Sequence, residues 1–306
     1  MKIGSKLKLN YTLSYIFILL FLNISTAFSA ETESCQQALQ KGDYAKALAT
    51  AKNALKGNPK EVDTLLCQGR AFIASNDFNN ALDSFKLAQL NASDSAQKTI
   101  AALLIGSTHL SLKQLDLAIT SYQQALDHAK TTDSTTYVRA SHLALGNAYL
   151  NDQQFELALA QYQAVNKLDA NDNERGESFE KIALTHHKMC QHDAALEYQI
   201  KAYMMHEKSG TLDQYAQASI ELGRYYGLAK QYIRAENTLN KIIKFAKEQG
   251  GGYYEAKGSC ILGVIKAAQG EKDVAKALVN YAKSMAKNMQ DTSLEDEINQ
   301  ETQGLL

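Results

Sequence analysis

The sequence predicts an all-α fold: a solenoid of about seven helix–turn–helix hairpins stacked in series. Three observations carry this. First, two small residues recur at one fixed separation. The pairs are Cys35/Ala47, Gly69/Ala81, Gly106/Ala118, Gly146/Ala158, Ala183/Ala195, Gly223/Ala235 and Gly263/Ala275, each 12 residues apart. Second, large apolar residues flank each pair at helical spacing, and a short polar turn divides it. Third, the chain holds 1 proline in 306 residues and no stretch of strand-like alternation.

Residues 140–165 display one hairpin in full. His142, Leu145, Gly146 and Tyr149 share one face of a first helix, and Ala158, Tyr162 and Val165 share one face of a second. Asn151, Asp152, Gln153 and Gln154 make the turn. Two helices crossing tightly need small side chains where their backbones come closest, with larger ones filling the flanks. Phe72, Tyr149 and Tyr226 fill them from first helices, and Phe85, Tyr122 and Tyr162 from second helices. Turn chemistry recurs at Gly42-Asp43, Asn76-Asp77 and Gly270-Glu271. From each second-helix alanine to the next small residue the distances run 22, 25, 28, 25, 28 and 28. The hairpin is constant and the link between hairpins grows by steps of about one helical turn.

Leu145-Gly146-x-x-Tyr149 followed by Ala158-x-x-x-Tyr162 resembles the tetratricopeptide-repeat signature, of a longer-helix variety. Pro59 stands 12 after Ala47, where that family places its proline; the other repeats lack it, as expected of second helices that run on. The resemblance implies a right-handed superhelix whose first helices line a concave groove for a peptide, a helix or a partner domain.

In chain order, residues 1–29 read as an export signal. Lys2, Lys6 and Lys8 precede the apolar run 15–22, and Ala27 and Ser29 supply a cleavage site ahead of Ala30. An uncleaved anchor is the alternative. Residues 30–290 are the repeat solenoid, and 291–306 a C-terminal capping helix or tail. The net charge of −1 becomes −4 once the three signal lysines are gone. There is no basic stripe to grip nucleic acid. Contact with a membrane is expected only through the transient signal peptide.

No nucleophile–base arrangement or phosphate-binding glycine loop is legible, so no catalytic residue and no cofactor is assigned. The segment 186–192 offers His186, His187, Cys190 and His192. His186 and Cys190, at i and i+4, would suit a metal on one helix face. The repeat register gives a plainer reading: His186 stands where Tyr149 and Tyr226 stand, and His192 where Tyr44, Phe78, Phe155 and Tyr232 stand. Both histidines are therefore expected to pack, with metal ligands none. Of the four cysteines, Cys35 and Cys67 lie on first helices of adjacent repeats. An exported protein favours their pairing, but Cys35 is expected to face its own second helix, and disulfide geometry is strict. The sequence leaves that bridge open.

The resemblance places the groove at positions three before, one after and four after each first-helix small residue. From these come the candidate binding residues Leu66, Arg70, Leu103, Leu110, Leu143, Asn147, Leu150, His187, Ile220 and Arg224. The face is largely aliphatic. It lacks the paired Lys and Asn of repeats that clamp a C-terminal carboxylate, since Asn147 is accompanied by Leu143. A tightly wound superhelix would instead bury part of this face against itself. The expected function is a non-enzymatic interaction scaffold, periplasmic or secreted, that binds an apolar or amphipathic protein segment. The alternatives are a self-associating protein that stacks through its terminal repeats as a homo-oligomer, or a metal-dependent enzyme.

Overall fold

A computed structural model describes residues 30–305 of the chain, with side chains from residue 34. The expected export signal, residues 1–29, lies outside the described residues. These fall into two compact units that divide between Leu168 and Asp169. The sequence reading takes residues 30–290 as a single stack.

The N-terminal unit holds four hairpins: α1 (Ala30–Gln40) with α2 (Tyr44–Gly57), α3 (Val62–Ala74) with α4 (Phe78–Asn91), α5 (Ser95–Ser111) with α6 (Leu115–Ala129), and α7 (Thr135–Asn151) with α8 (Phe155–Leu168). The C-terminal unit holds three: α9 (Asp172–Lys188) with α10 (His192–Ser209), α11 (Leu212–Leu228) with α12 (Tyr232–Gln249), and α13 (Gly252–Ala268) with α14 (Lys272–Asn288). It closes with α15 (Thr292–Glu301). Within each unit a second helix packs on the next first helix, and neighbouring first helices also touch, as α3 with α5, α5 with α7 and α11 with α13. Each unit is thus an all-α solenoid stack.

The small residue of each first helix has a specific opposite number. A Cβ on Gly69 would fall 2.3 Å from a ring carbon of Phe85, one on Gly106 2.5 Å from Tyr122, and one on Gly146 2.8 Å from Tyr162. The same relation joins Gly223 to Leu239 and Gly263 to Val279. In every case the partner is 16 residues on, one turn past the second-helix alanine. Those alanines, from Ala47 to Ala275, are fully buried. The α9/α10 hairpin departs from this. Its partner residue, Gln199, is buried and donates from Nε2 to the Ala218 carbonyl at 3.0 Å. The ring contact moves to Gly176, against the buried imidazole of His206.

The turn is equally regular. Seven residues after each small residue the backbone enters the left-handed region: Gly42, Asn76, Lys113, Gln153, Cys190, Lys230 and Gly270, with φ between +58° and +87°. The next amide donates back to the first helix, for example Gln154 to Tyr149 at 2.9 Å and Gln231 to Tyr226 at 2.8 Å. That same residue then caps the second helix. Asp43 and Asp77 accept from the amides of Lys46 and Asn80.

Helix lengthening follows the widening repeat, but not only where the missing prolines suggest. In the N-terminal unit the added turn enters the first helices, 13 residues in α3 and 17 in α5 and α7. Second helices run on only in the C-terminal unit, where α10 and α12 reach 18 residues against 14 in α8.

Cys35 and Cys67 are joined in a disulfide, with Cα atoms 6.4 Å apart. The sequence expectation that Cys35 points only at its own second helix is corrected here. In most hairpins a ring or branched side chain fills the space opposite the small residue. Here Ala51 does, and the room it leaves is taken by the bridge to α3, among Ala38, Ala47 and Ala71. Closing a loop of 32 residues stabilises by about 3–4 kcal/mol on the chain-entropy account.

Two predictions follow from hairpin geometry. Gly69→Ala gains up to about 1 kcal/mol of helix propensity but overpacks Phe85 at a cost of roughly 1–3 kcal/mol, so it should destabilise. In a Phe85→Ala background, where no side chain reaches the added methyl, the same change should stabilise. Urea unfolding of the four proteins decides, and one sign in both backgrounds would contradict the contact. At the turn, Gln153→Gly should raise stability by about 0.5–1 kcal/mol, because glycine relieves left-handed strain. A lowered melting temperature would count against it.

Candidate functional site

The candidate residues separate by register. The positions three before the small residue are mostly core: Leu66, Leu103 and Ile220 are 4 %, 7 % and 0 % exposed. Leu103 packs with Tyr122 and with Leu145 of the next first helix, and Ile220 with Leu239 and with Ile261 of the next. These three are therefore not available to a partner. The reason is the lean of helical side chains toward the N-terminus, which turns this row under the neighbouring first helix. Leu143 is the exception and stays half-buried.

The rows one and four after the small residue are half-buried throughout the N-terminal unit: Arg70 and Ile73 on α3, Ser107 and Leu110 on α5, Asn147 and Leu150 on α7. With α3 against α5 and α5 against α7, they form one face with Leu143. Leu143, Asn147 and Leu150 run along it at i, i+4 and i+7. Asn147 Oδ1 accepts from the Tyr162 hydroxyl at 2.8 Å. That bond ties the tip of a core ring to this face. Burial lowers the pKa of Arg70, and Asp63 opposes the shift.

The same rows in the C-terminal unit read Leu184, His187, Arg224, Gly227, Val264 and Ala267, so the candidates His187 and Arg224 fall there. The Arg224 guanidinium bonds Glu221 at 2.9 Å through Nε and Glu301 of α15 at 2.7 Å through Nη1. Burial works against its charge, but the two carboxylates more than offset this and raise its pKa. The sequence reading offers Arg224 to a partner; both carboxylates that it meets here belong to the chain itself. Close by, Lys257 Nζ pairs with Glu297 of α15 at 2.7 Å, and the Tyr253 hydroxyl donates to Glu297 at 3.2 Å. Between these pairs Cys260 is buried with Leu294 and Ile298 of α15. Burial pushes its thiol up to about 12. The sequence reading gave residues 291–306 as a capping helix or tail and assigned α15 no partner residues. Its signals were legible: Asp291 as cap three residues before Leu294, then Leu294, Glu297, Ile298 and Glu301 on one helical face.

The histidine segment resolves by backbone. α9 ends at Lys188, and Cys190 stands exposed at the left-handed turn position with φ +58°. It does not share a helix face with His186. The His186 ring stacks on Tyr198, centroids 5.4 Å apart, and its Nδ1 lies 2.7 Å from Gln191 Oε1. His109 and Gln114 repeat that pairing in the N-terminal unit at 2.7 Å. His187 and His192 lie ring to ring at 5.8 Å, and Tyr225 is 5.4 Å from His187. Among the described residues, no group of three His, Cys, Asp or Glu side chains is placed to hold a metal. No described helix is long and apolar enough to cross a membrane.

The tetratricopeptide-repeat profile matches residues 101–130, the α5/α6 hairpin. Its small-residue spacing and turn are those of the other hairpins, and its ring contact that of α3/α4 and α7/α8. The α5/α6 hairpin is a tetratricopeptide repeat, and the other described hairpins share its fold. The apo form of RapI is similar to it in fold, with a TM-score of 0.72, 14 % identity, and coverage of 90 % of this chain and 84 % of that one. A STAND ATPase with a tetratricopeptide-repeat sensor, PH0952 from Pyrococcus horikoshii, gives 0.72 at 15 % identity, covering 88 % and 44 %. A chain of the APC/C hetero-tetramer Cut9–Hcn1 gives 0.57 at 14 % identity, covering 95 % and 51 %. At such identities the likeness is one of fold. No curated protein sequence matches the chain.

His187 supplies a pH prediction. Burial first, then the Arg224 and His192 charges, lower its pKa below the usual value. On acidification below about 6.5 the unfolded chain takes up this proton before the folded one, so stability falls. His187→Phe should make stability less pH-dependent on the acid side of that value. Parallel melting curves against pH test this; identical slopes would rule it out.

Proposed function

We propose that this tetratricopeptide-repeat protein is a non-enzymatic interaction scaffold, exported to the cell envelope of a bacterium, that seats an apolar or amphipathic protein segment on the first-helix face of its N-terminal unit. One observation carries the reading. Leu110, Leu143 and Leu150, on adjacent first helices, remain half-buried, Leu110 at the margin of the core it packs against. Arg70 stands at the edge of the same face. An apolar strip with a cation beside it suits the non-polar side of a helix and one carboxylate or carbonyl to set its direction. The fold admits such use: Cut9–Hcn1 is a hetero-tetramer in which a chain of similar fold takes part.

Two features support export. Lys2, Lys6 and Lys8 with the apolar run 15–22 make a secretory signal. The Cys35–Cys67 bridge suits an oxidising compartment rather than the cytosol. Intact mass of the secreted protein should begin at Ala30 with one disulfide; a membrane-held product retaining residues 1–29 would mean an anchor.

The test of the face uses the mature protein as bait in an envelope extract, with affinity measured for the recovered partner. Leu143→Asp should weaken binding by tenfold or more at unchanged helix content. Leu157→Asp, at an exposed apolar position on α8, should leave it unaltered. Arg70→Ala should reduce binding less and lower its salt dependence. Normal binding by Leu143→Asp would move the site elsewhere.

A further inference from the structure

The ion pairs of α15 are more than closure of the last hairpin requires. Covering α13 and α14 is done by Leu294 and Ile298, each 1 % exposed, against Ala256, Cys260, Ala282 and Ala286. Glu301 extends beyond that footprint to Arg224, which belongs to α11. Glu297 meanwhile takes Lys257 and Tyr253. We propose that α11 and α13 form a second binding surface, for an acidic amphipathic helix, and that α15 occupies it as a displaceable strap.

The chemistry of the occupant specifies the class of partner. Leu294, Glu297, Ile298 and Glu301 stand at i, i+3, i+4 and i+7, so two apolar and two acidic side chains share one face. The surface beneath is matched to them: an apolar floor around Cys260, with the buried Lys257 and the half-buried Arg224 beside it. Removing the strap without replacement would uncover the apolar floor and take away the Glu297 partner of Lys257 and the Glu301 partner of Arg224, which would keep Glu221 alone. An incoming helix must therefore bring its own acidic groups in the same spacing. A neutral or basic amphipathic helix would not exchange.

The strap is built to be exchangeable. It is one helix of 10 residues, shorter than the length at which an isolated helix holds itself together. It is joined to α14 through Gln290 in the left-handed region at φ +56°, a strained link for a side chain other than glycine. Its hold rests on two apolar side chains and two carboxylates. This surface shares no residue with the N-terminal face proposed above, so each reading stands or fails on its own.

Cys260 is the reporter. It is buried under α15, whereas Cys190, the other free thiol, is exposed. In the full-length mature protein carrying Cys190→Ser, alkylation of Cys260 measures strap opening. Glu297→Gln with Glu301→Gln should accelerate it tenfold or more at unchanged helix content. A fluorescent synthetic peptide of residues 291–303 should bind this double variant at least tenfold tighter than the unaltered strap. It should also slow alkylation back toward the original rate, and a scrambled peptide should do neither. Adding Arg224→Ala should abolish the peptide's gain. An unchanged alkylation rate would show that the pairs do not hold α15. Fast alkylation without peptide binding or protection would make α15 a cap and nothing more. Should the double variant lose helix content, Glu301→Gln alone serves the same comparison. Binding of the partner recovered through Leu143 is read separately and is not changed by either result.

Discussion

Five of the seven described hairpins depend on one contact: the bare backbone of a first helix against a large side chain from the second. Gly69 meets Phe85, Gly106 meets Tyr122 and Gly146 meets Tyr162 so closely that a single added methyl would overlap the ring. A glycine inside a helix costs about 1 kcal/mol relative to alanine. That cost is sustained because the ring it admits buries a large apolar area at the hairpin centre. The fully buried alanine one turn earlier lets the second helix approach to that distance. With approach and ring set, the turn has little freedom left. Its left-handed residue falls seven after the small residue every time, even where that residue is lysine, glutamine or cysteine.

Where the contact is altered, the structure finds another use for the space. Opposite Cys35 there is only Ala51, and a disulfide to α3 takes the place of a ring. Opposite Ala183 there is Gln199, whose amide reaches the α11 backbone. A polar side chain so buried is tolerated because it is hydrogen-bonded. The turn position explains Cys190 in the same terms. Its place between histidines suggests metal chemistry on paper, but the backbone there has already left the helix.

The faces left over by the hairpin contacts differ between the units. In the N-terminal unit they are aliphatic and half-buried, with Leu110, Leu143 and Leu150 between Arg70 and Asn147. In the C-terminal unit they carry charge that the chain neutralises itself, through Glu221, Glu297 and Glu301. One fold thus offers two surfaces of different chemistry. The N-terminal one is suited to apolar burial, and the C-terminal one to an acidic helix that must match Lys257 and Arg224.

The fold class, the seven hairpins, their turns and the packing role of His186 were legible in the sequence. All of these follow from spacing along one or two adjacent helices, where 3.6 residues per turn converts position into direction. The site was legible only in part. The register reading groups its candidates on one face, and of these Arg70, Leu110, Leu143, Asn147 and Leu150 are half-buried. It wrongly left Leu66, Leu103 and Ile220 exposed, because whether a row is covered depends on how closely the next first helix lies. The Cys35–Cys67 bridge and the Arg224–Glu301 pair likewise waited on tertiary structure. The first depends on a void opposite Cys35, and the second joins residues 77 apart. Local periodicity sets which way a side chain leaves its helix; only packing between helices decides what it meets there.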